Sequence, residues 1–126
     1  MHCISIADKS EIWRKTYSRQ IQAAPCIKPD GTVVVGDMFG NVTGYDREGN
    51  PAFEYKTGAA FVMAAPVCDS NRVVMACDNE GGVHRIHPDG KGEKLFEASR
   101  SIEGRPAISP QGKLYIPCMD GLVYVF

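Results

Sequence analysis

Short apolar runs rich in Val, Ile, Tyr and Phe alternate along the chain with clusters of Pro, Gly, Asp and Asn, and no helical period of three to four residues is sustained. That alternation is the chemistry of strands and tight turns. From Ala23, the stretch "AAPCIKPDGTVVVGDMFGNVTGYD" and its continuation "REGNPAFEYKTG" predict four strands. These are A over Ala24 to Ile27, B over Thr32 to Gly36, C over Val42 to Asp46 and D over Pro51 to Thr57, joined by "KPDG", "DMFGN" and "REGN".

The pattern returns. "AAPVCDSNRVVMACDNEGGVHRIH" runs from Ala64 to His87 and "GRPAISPQGKLYIPCMDGLVYVF" from Gly104 to Phe126. Ungapped alignment stacks Pro25, Pro66 and Pro106 in one column, Val33, Val74 and Leu114 in a second, and Val42, Val83 and Val123 in a third. Four antiparallel strands per repeat of about 40 residues form the blade of a β-propeller, so the fold class is all-β. The opening "CISIADKSEIWRKTYSRQIQAAP" aligns as a C strand and a D strand. The expected organisation is a partial blade over 1–22, blades over 23–63 and 64–103, and an A-B-C part blade over 104–126. Closed propellers have about four to eight blades. An array of about three therefore reads as a fragment of a larger propeller, or as a chain that self-associates through its exposed blade edges.

Turn residues recur with the strands. Asp37 and Asp78 follow their B strands, where a short carboxylate accepts backbone N–H bonds, and Gly40, Gly81 and Gly121 supply a positive φ three residues on. Cys118 stands in the aspartate column of the third unit. Trp13, Phe53 and Phe96 share one column of the outer strand, one large aromatic per blade, each able to bury about 150–250 Å² against its neighbour. All eight positions are expected to be structural first, with Asp37 as a metal ligand or catalytic acid the minor alternative.

On these residues, "IKPDGTVVVGDMFGNVTGYDREGNPAFEYKTG" resembles the blade repeat of the pyrroloquinoline-quinone-type propellers. The resemblance covers nearly the whole chain and implies an outer-strand Trp, present as Trp13 and replaced by Phe53 and Phe96. Quinone-dependent dehydrogenases of that superfamily carry an adjacent Cys-Cys pair and an acidic calcium cluster at the cofactor. No two cysteines are adjacent here, so no cofactor is expected. What the resemblance implies instead is the non-enzymatic branch, whose propellers serve as binding platforms.

Composition narrows the partners. Fourteen basic against fifteen acidic residues give a net charge of -1 with no basic stripe, which leaves nucleic acid and anionic membranes without an electrostatic basis. No apolar run reaches the ~18 residues of a membrane-spanning helix. The five cysteines, Cys3, Cys26, Cys68, Cys77 and Cys118, show no C-x-x-C spacing and read as packed free thiols, which suits a reducing compartment, while the family resemblance also permits the periplasm. His84 and His87 are read as surface or edge residues that point to opposite faces of a strand and cannot share a metal. "PDGKGEK" reads as a hairpin turn, and the sequon at Asn41 as a chance match. The function expected is a non-catalytic scaffold for a protein or peptide, with no catalytic residue and no metal ligand. The alternatives are an accessory or regulatory propeller of a multidomain enzyme and, at lowest weight, a fragment of a quinone-dependent dehydrogenase.

Overall fold

A computed structural model describes every residue of the 126 except Ser18. Its elements are thirteen strands, with no helix among the described residues. Strands β1 (His2–Ile4) and β2 (Glu11–Arg14) pair as a two-stranded sheet. A four-stranded sheet follows, with β3 (Cys26–Ile27), β4 (Val33–Gly36), β5 (Asn41–Tyr45) and β6 (Pro51–Lys56) in sequence order. The next repeats it with β7 (Val67–Cys68), β8 (Val74–Cys77), β9 (Gly82–Ile86) and β10 (Gly92–Glu97), and β11 (Ala107–Ile108), β12 (Leu114–Pro117) and β13 (Val123–Val125) make a three-stranded one. Every pairing is antiparallel and joins sequence neighbours, which is the meander of a propeller blade. The A strands are shorter than the apolar runs suggest, only two residues each, because the prolines before them cannot donate to a ladder.

The apolar pattern follows from stacking. The B strands β4 and β8 lie between neighbouring blades, so both of their faces are covered and their residues are apolar without alternation. In β8, Val74 and Ala76 join Cys26, Val34, Val42, Val62 and Ile86 in the core against the preceding blade. Met75 and Cys77, on the other face, join Val67, Val83, Ile102, Leu114 and Ile116 in the core against the next. Fully enclosed side chains such as Ile86, Ile102 and Ile116 stabilise by about 1.5–3 kcal/mol each. The D strands have only their inner face covered: in β6, Phe53 and Tyr55 are half-buried and Glu54 between them is exposed, while in β10 a bulge between Lys94 and Phe96 interrupts the alternation.

Gly40 shows why the turn after a B strand is fixed in sequence. Its φ is +74°, and a Cβ there would run into the backbone carbonyl of Ala59. Gly81 and Gly121 adopt the same hand at φ +92° and +88°.

Candidate functional site

The first two B–C turns are each organised by a buried carboxylate. Asp37 Oδ1 accepts the backbone N–H of Phe39 at 2.8 Å and of Asn41 at 3.0 Å, and Oδ2 accepts the Tyr17 hydroxyl at 3.1 Å and Arg19 Nη1 at 3.2 Å. Asn41 donates its side-chain amide to both oxygens, so the sequon asparagine is buried and occupied. Burial works to raise the Asp37 carboxyl, but the donors from Asn41, Phe39 and Arg19 outweigh it and hold it below the usual range. Asp78 repeats the arrangement, with Oδ1 accepting from the N–H of Glu80 at 2.9 Å and Gly82 at 2.8 Å, and Oδ2 lying 2.7 Å from His84 Nε2. There too burial raises the carboxyl, and the bonds from His84, Gly82 and Glu80 bring it below its ordinary value.

His84 is therefore no edge residue. It is fully enclosed, because the C strand, like the B strand, is covered on both faces by the blade stack. Its Nδ1 meets the Tyr55 hydroxyl at 3.0 Å, and the rings cross edge to face with centroids 5.6 Å apart. With Asp78 ionised, Nε2 donates to the carboxylate, while Nδ1 pairs with the Tyr55 hydroxyl. Thr43, His84 and Tyr124 share one alignment column, and each touches an aromatic from the preceding blade. Tyr17 bonds Thr43 at 3.2 Å, Tyr55 bonds His84, and Phe96 stacks on Tyr124 at 5.0 Å. In the third unit the carboxylate has moved two residues, from the Cys118 column to Asp120, which accepts from Tyr124 at 2.7 Å and Ser99 at 2.9 Å and is drawn down to about 2.

The outer-strand aromatics lie half-buried at the same junctions rather than deep in a core. Trp13 covers Gly49 and donates its Nε1–H to the Arg47 carbonyl at 2.8 Å. Phe53 covers Gly90 at the equivalent turn of the next blade, and Phe96 lies between Tyr124 and Phe126. The "PDGKGEK" segment is the β9–β10 hairpin turn, closed by Gly90 N–H to the His87 carbonyl at 2.9 Å.

Two of the accessible surfaces bear on binding. On one face the B–C turns meet the loops that lead from D strands into the next A strand, and one backbone bond recurs in every blade: Met38 N–H to Gln20 O, Asn79 N–H to Phe61 O and Met119 N–H to Ser101 O, at 2.9, 3.1 and 3.0 Å. This face carries apolar side chains that water does not favour, Phe39 (62% exposed), Phe61 (37%) and Met119 (64%), and Arg19 lies over the Phe39 ring. The second surface is a groove of about 580 Å³ along the innermost strands, lined by Pro25, Cys26, Ile27, Cys68, Arg105 and Ile108 among others. The loop-face residues carried no repeat signature in the sequence, because Phe39, Glu80 and Asp120 share a column without sharing chemistry.

Tyr55, His84 and Asp78 have the composition of a proton relay, and His84 and Asp78 within it are buried. Among the described residues no group of three or more His, Cys, Asp or Glu is placed to hold a metal ion.

No protein-family model matches the chain, and no curated protein matches it in sequence. Solved structures do match. BamB from Moraxella catarrhalis superposes with a TM-score of 0.77 at 15% identity, over 94% of this chain and 38% of its own. Streptogramin B lyase gives 0.66 at 12% identity, over 87% of this chain and 42% of its own. A protein of unknown function from Bacteroides caccae gives 0.60 at 15% identity, over 94% and 51%. The chain thus spans between 38% and 51% of the length of these three structures. At these identities the likeness is one of fold, and the fold is an all-β array of β-propeller blades.

Proposed function

We propose that this array is a non-catalytic binding platform for a protein or peptide, engaged at the face built from the B–C turns and the D-to-A loops. The observation that carries the reading is the exposure of Phe39, Phe61 and Met119 on one face whose backbone is pinned by the same bond in every blade. Exposed apolar side chains on a rigid frame suit a surface that is covered by another chain. The enclosure of His84 and Asp78 supports a structural role for the one relay-like cluster. A second copy of the chain is a further partner of this kind that we propose, because β13 carries the exposed apolar side chains Val123 and Val125.

Selection of peptides from a random library on the immobilised chain tests the reading. Recovered peptides should bind the parent and lose at least tenfold in affinity for a Phe39→Ser, Met119→Ser variant with unchanged circular dichroism. Equal binding by both would overturn it. Light scattering on a sizing column reads the self-association arm, and a monomer across a hundredfold range of concentration excludes it. The likeness to streptogramin B lyase favours a second reading, in which this segment belongs to an enzyme. That reading requires substrate turnover by a longer chain containing this one.

A further inference from the structure

Cys26 ends the buried part of β3, and Cys68 occupies β7, the innermost strand of the following blade. Both side chains line the central groove, and both pack in the same inter-blade core. The two strands approach within 8 Å, Cα to Cα, a range that includes the ~4.4–6.8 Å spanned by disulfides. Cys68 is half-exposed toward the groove, so a small molecule can reach the pair. The other three thiols lie elsewhere: Cys77 in the core between the second and third blades, Cys118 against the Arg100 and Ser101 carbonyls, and Cys3 on β1.

We propose that Cys26 and Cys68 are a redox pair that closes into a disulfide between the inner strands of adjacent blades, with a small-molecule disulfide such as glutathione disulfide as the oxidant. The thiol of Cys26 gives its proton to solvent, and the thiolate attacks one sulfur of glutathione disulfide, expelling one glutathione thiolate. Cys68, deprotonated in turn, attacks the Cys26 sulfur of the mixed disulfide and expels the second glutathione. Two protein thiols lose two electrons and two protons, and glutathione disulfide leaves as two molecules of glutathione.

The surroundings set the order and the pace. Burial is the largest influence on Cys26 and raises its thiol, while the charges of Arg105 and Lys28 and the contact with Cys68 favour its thiolate. Cys68 is pushed up to about 11 by burial, by Cys26 and by Asp69, so it is the poorer first nucleophile. Closure is slow near neutrality and accelerates with the thiolate fraction, about tenfold per pH unit. Once formed, the bond ties two blades at the groove and narrows the freedom of its walls.

The experiment treats the whole chain with glutathione disulfide, quenches with acid and maps the peptides by mass. The expected product has lost two hydrogens without retaining glutathione, carries a Cys26–Cys68 link, and forms about tenfold faster for each pH unit between about pH 7 and pH 8. A Cys68→Ser variant should hold glutathione at Cys26 as a stable adduct. Stable glutathione on both cysteines of the parent, a link between any other pair, or persistence of both free thiols after Cys3 has reacted would each overturn the proposal. The peptide map of the parent decides even where the variant does not fold.

Discussion

Tyr55 on the outer strand of one blade places its hydroxyl 3.0 Å from Nδ1 of His84 on the third strand of the next, while the far nitrogen of the same ring lies 2.7 Å from Asp78 Oδ2. Two blades thus share one buried chain of hydrogen bonds. Removing its outer member leaves His84 one partner short, and removing the middle leaves a buried carboxylate without its strongest donor. Tyr55→Phe should cost about 0.5–1.5 kcal/mol, and His84→Ala about 3–5 kcal/mol, both read from urea titrations. A His84→Ala variant as stable as the parent would show that the ring is a passenger.

Acid should dismantle the same turns. Asp37 and Asp78 are held below their ordinary value in the fold, so their contribution to stability is complete above the unfolded carboxyl range, about pH 4, and is lost as pH falls through the folded values. The expected outcome is a stability that is level near neutrality and declines below about pH 4. Asp37→Asn, Asp78→Asn should lower stability at pH 7 and flatten that decline, which thermal melts at stepped pH will read.

Phe53 and Gly90 should behave as one unit. The glycine sits at φ +85° and a Cβ on it would lie 2.5 Å from the Cβ of Phe53. Phe53→Ala is expected to cost about 2–3 kcal/mol, below the ~3–5 of a fully enclosed phenylalanine. Gly90→Ala should cost at least about 1–2 kcal/mol for the left-handed backbone alone. The added steric cost should shrink once Phe53 is alanine, giving a coupling of about 0.5 kcal/mol or more in a double-mutant cycle. Strict additivity would separate the ring from the turn.

Much of this was legible because a blade repeats its physics. The strand and turn alternation fixes a meander, and the columns through Pro25 and Gly40 recur because the inner strand needs a start and the turn a positive φ. His84 was misplaced for an identifiable reason. Alternation predicts one wet face on a strand, and a C strand between two stacked blades has none. Its column, with Thr43 and Tyr124, does hold a hydrogen-bonding residue in every unit, and that was the available signal. The exposed Phe39 and Met119 and the meeting of Cys26 with Cys68 depend on which loops share a face and which inner strands adjoin, neither of which a single blade encodes.

Cys118 gives the array an uneven grain. At the first two turns an enclosed carboxylate gathers backbone N–H groups, whereas here a thiol reaches the carbonyls of Arg100 and Ser101 at 3.4 and 3.7 Å. Sulfur is a weak donor and cannot replace a charged acceptor. In a one-dimensional stack, opening begins at the weakest seam and travels from there. Hydrogen exchange should find the amides of Leu114 and Ile116 opening before those of Val74 and Ala76, so that the third blade peels away while the first two remain clasped.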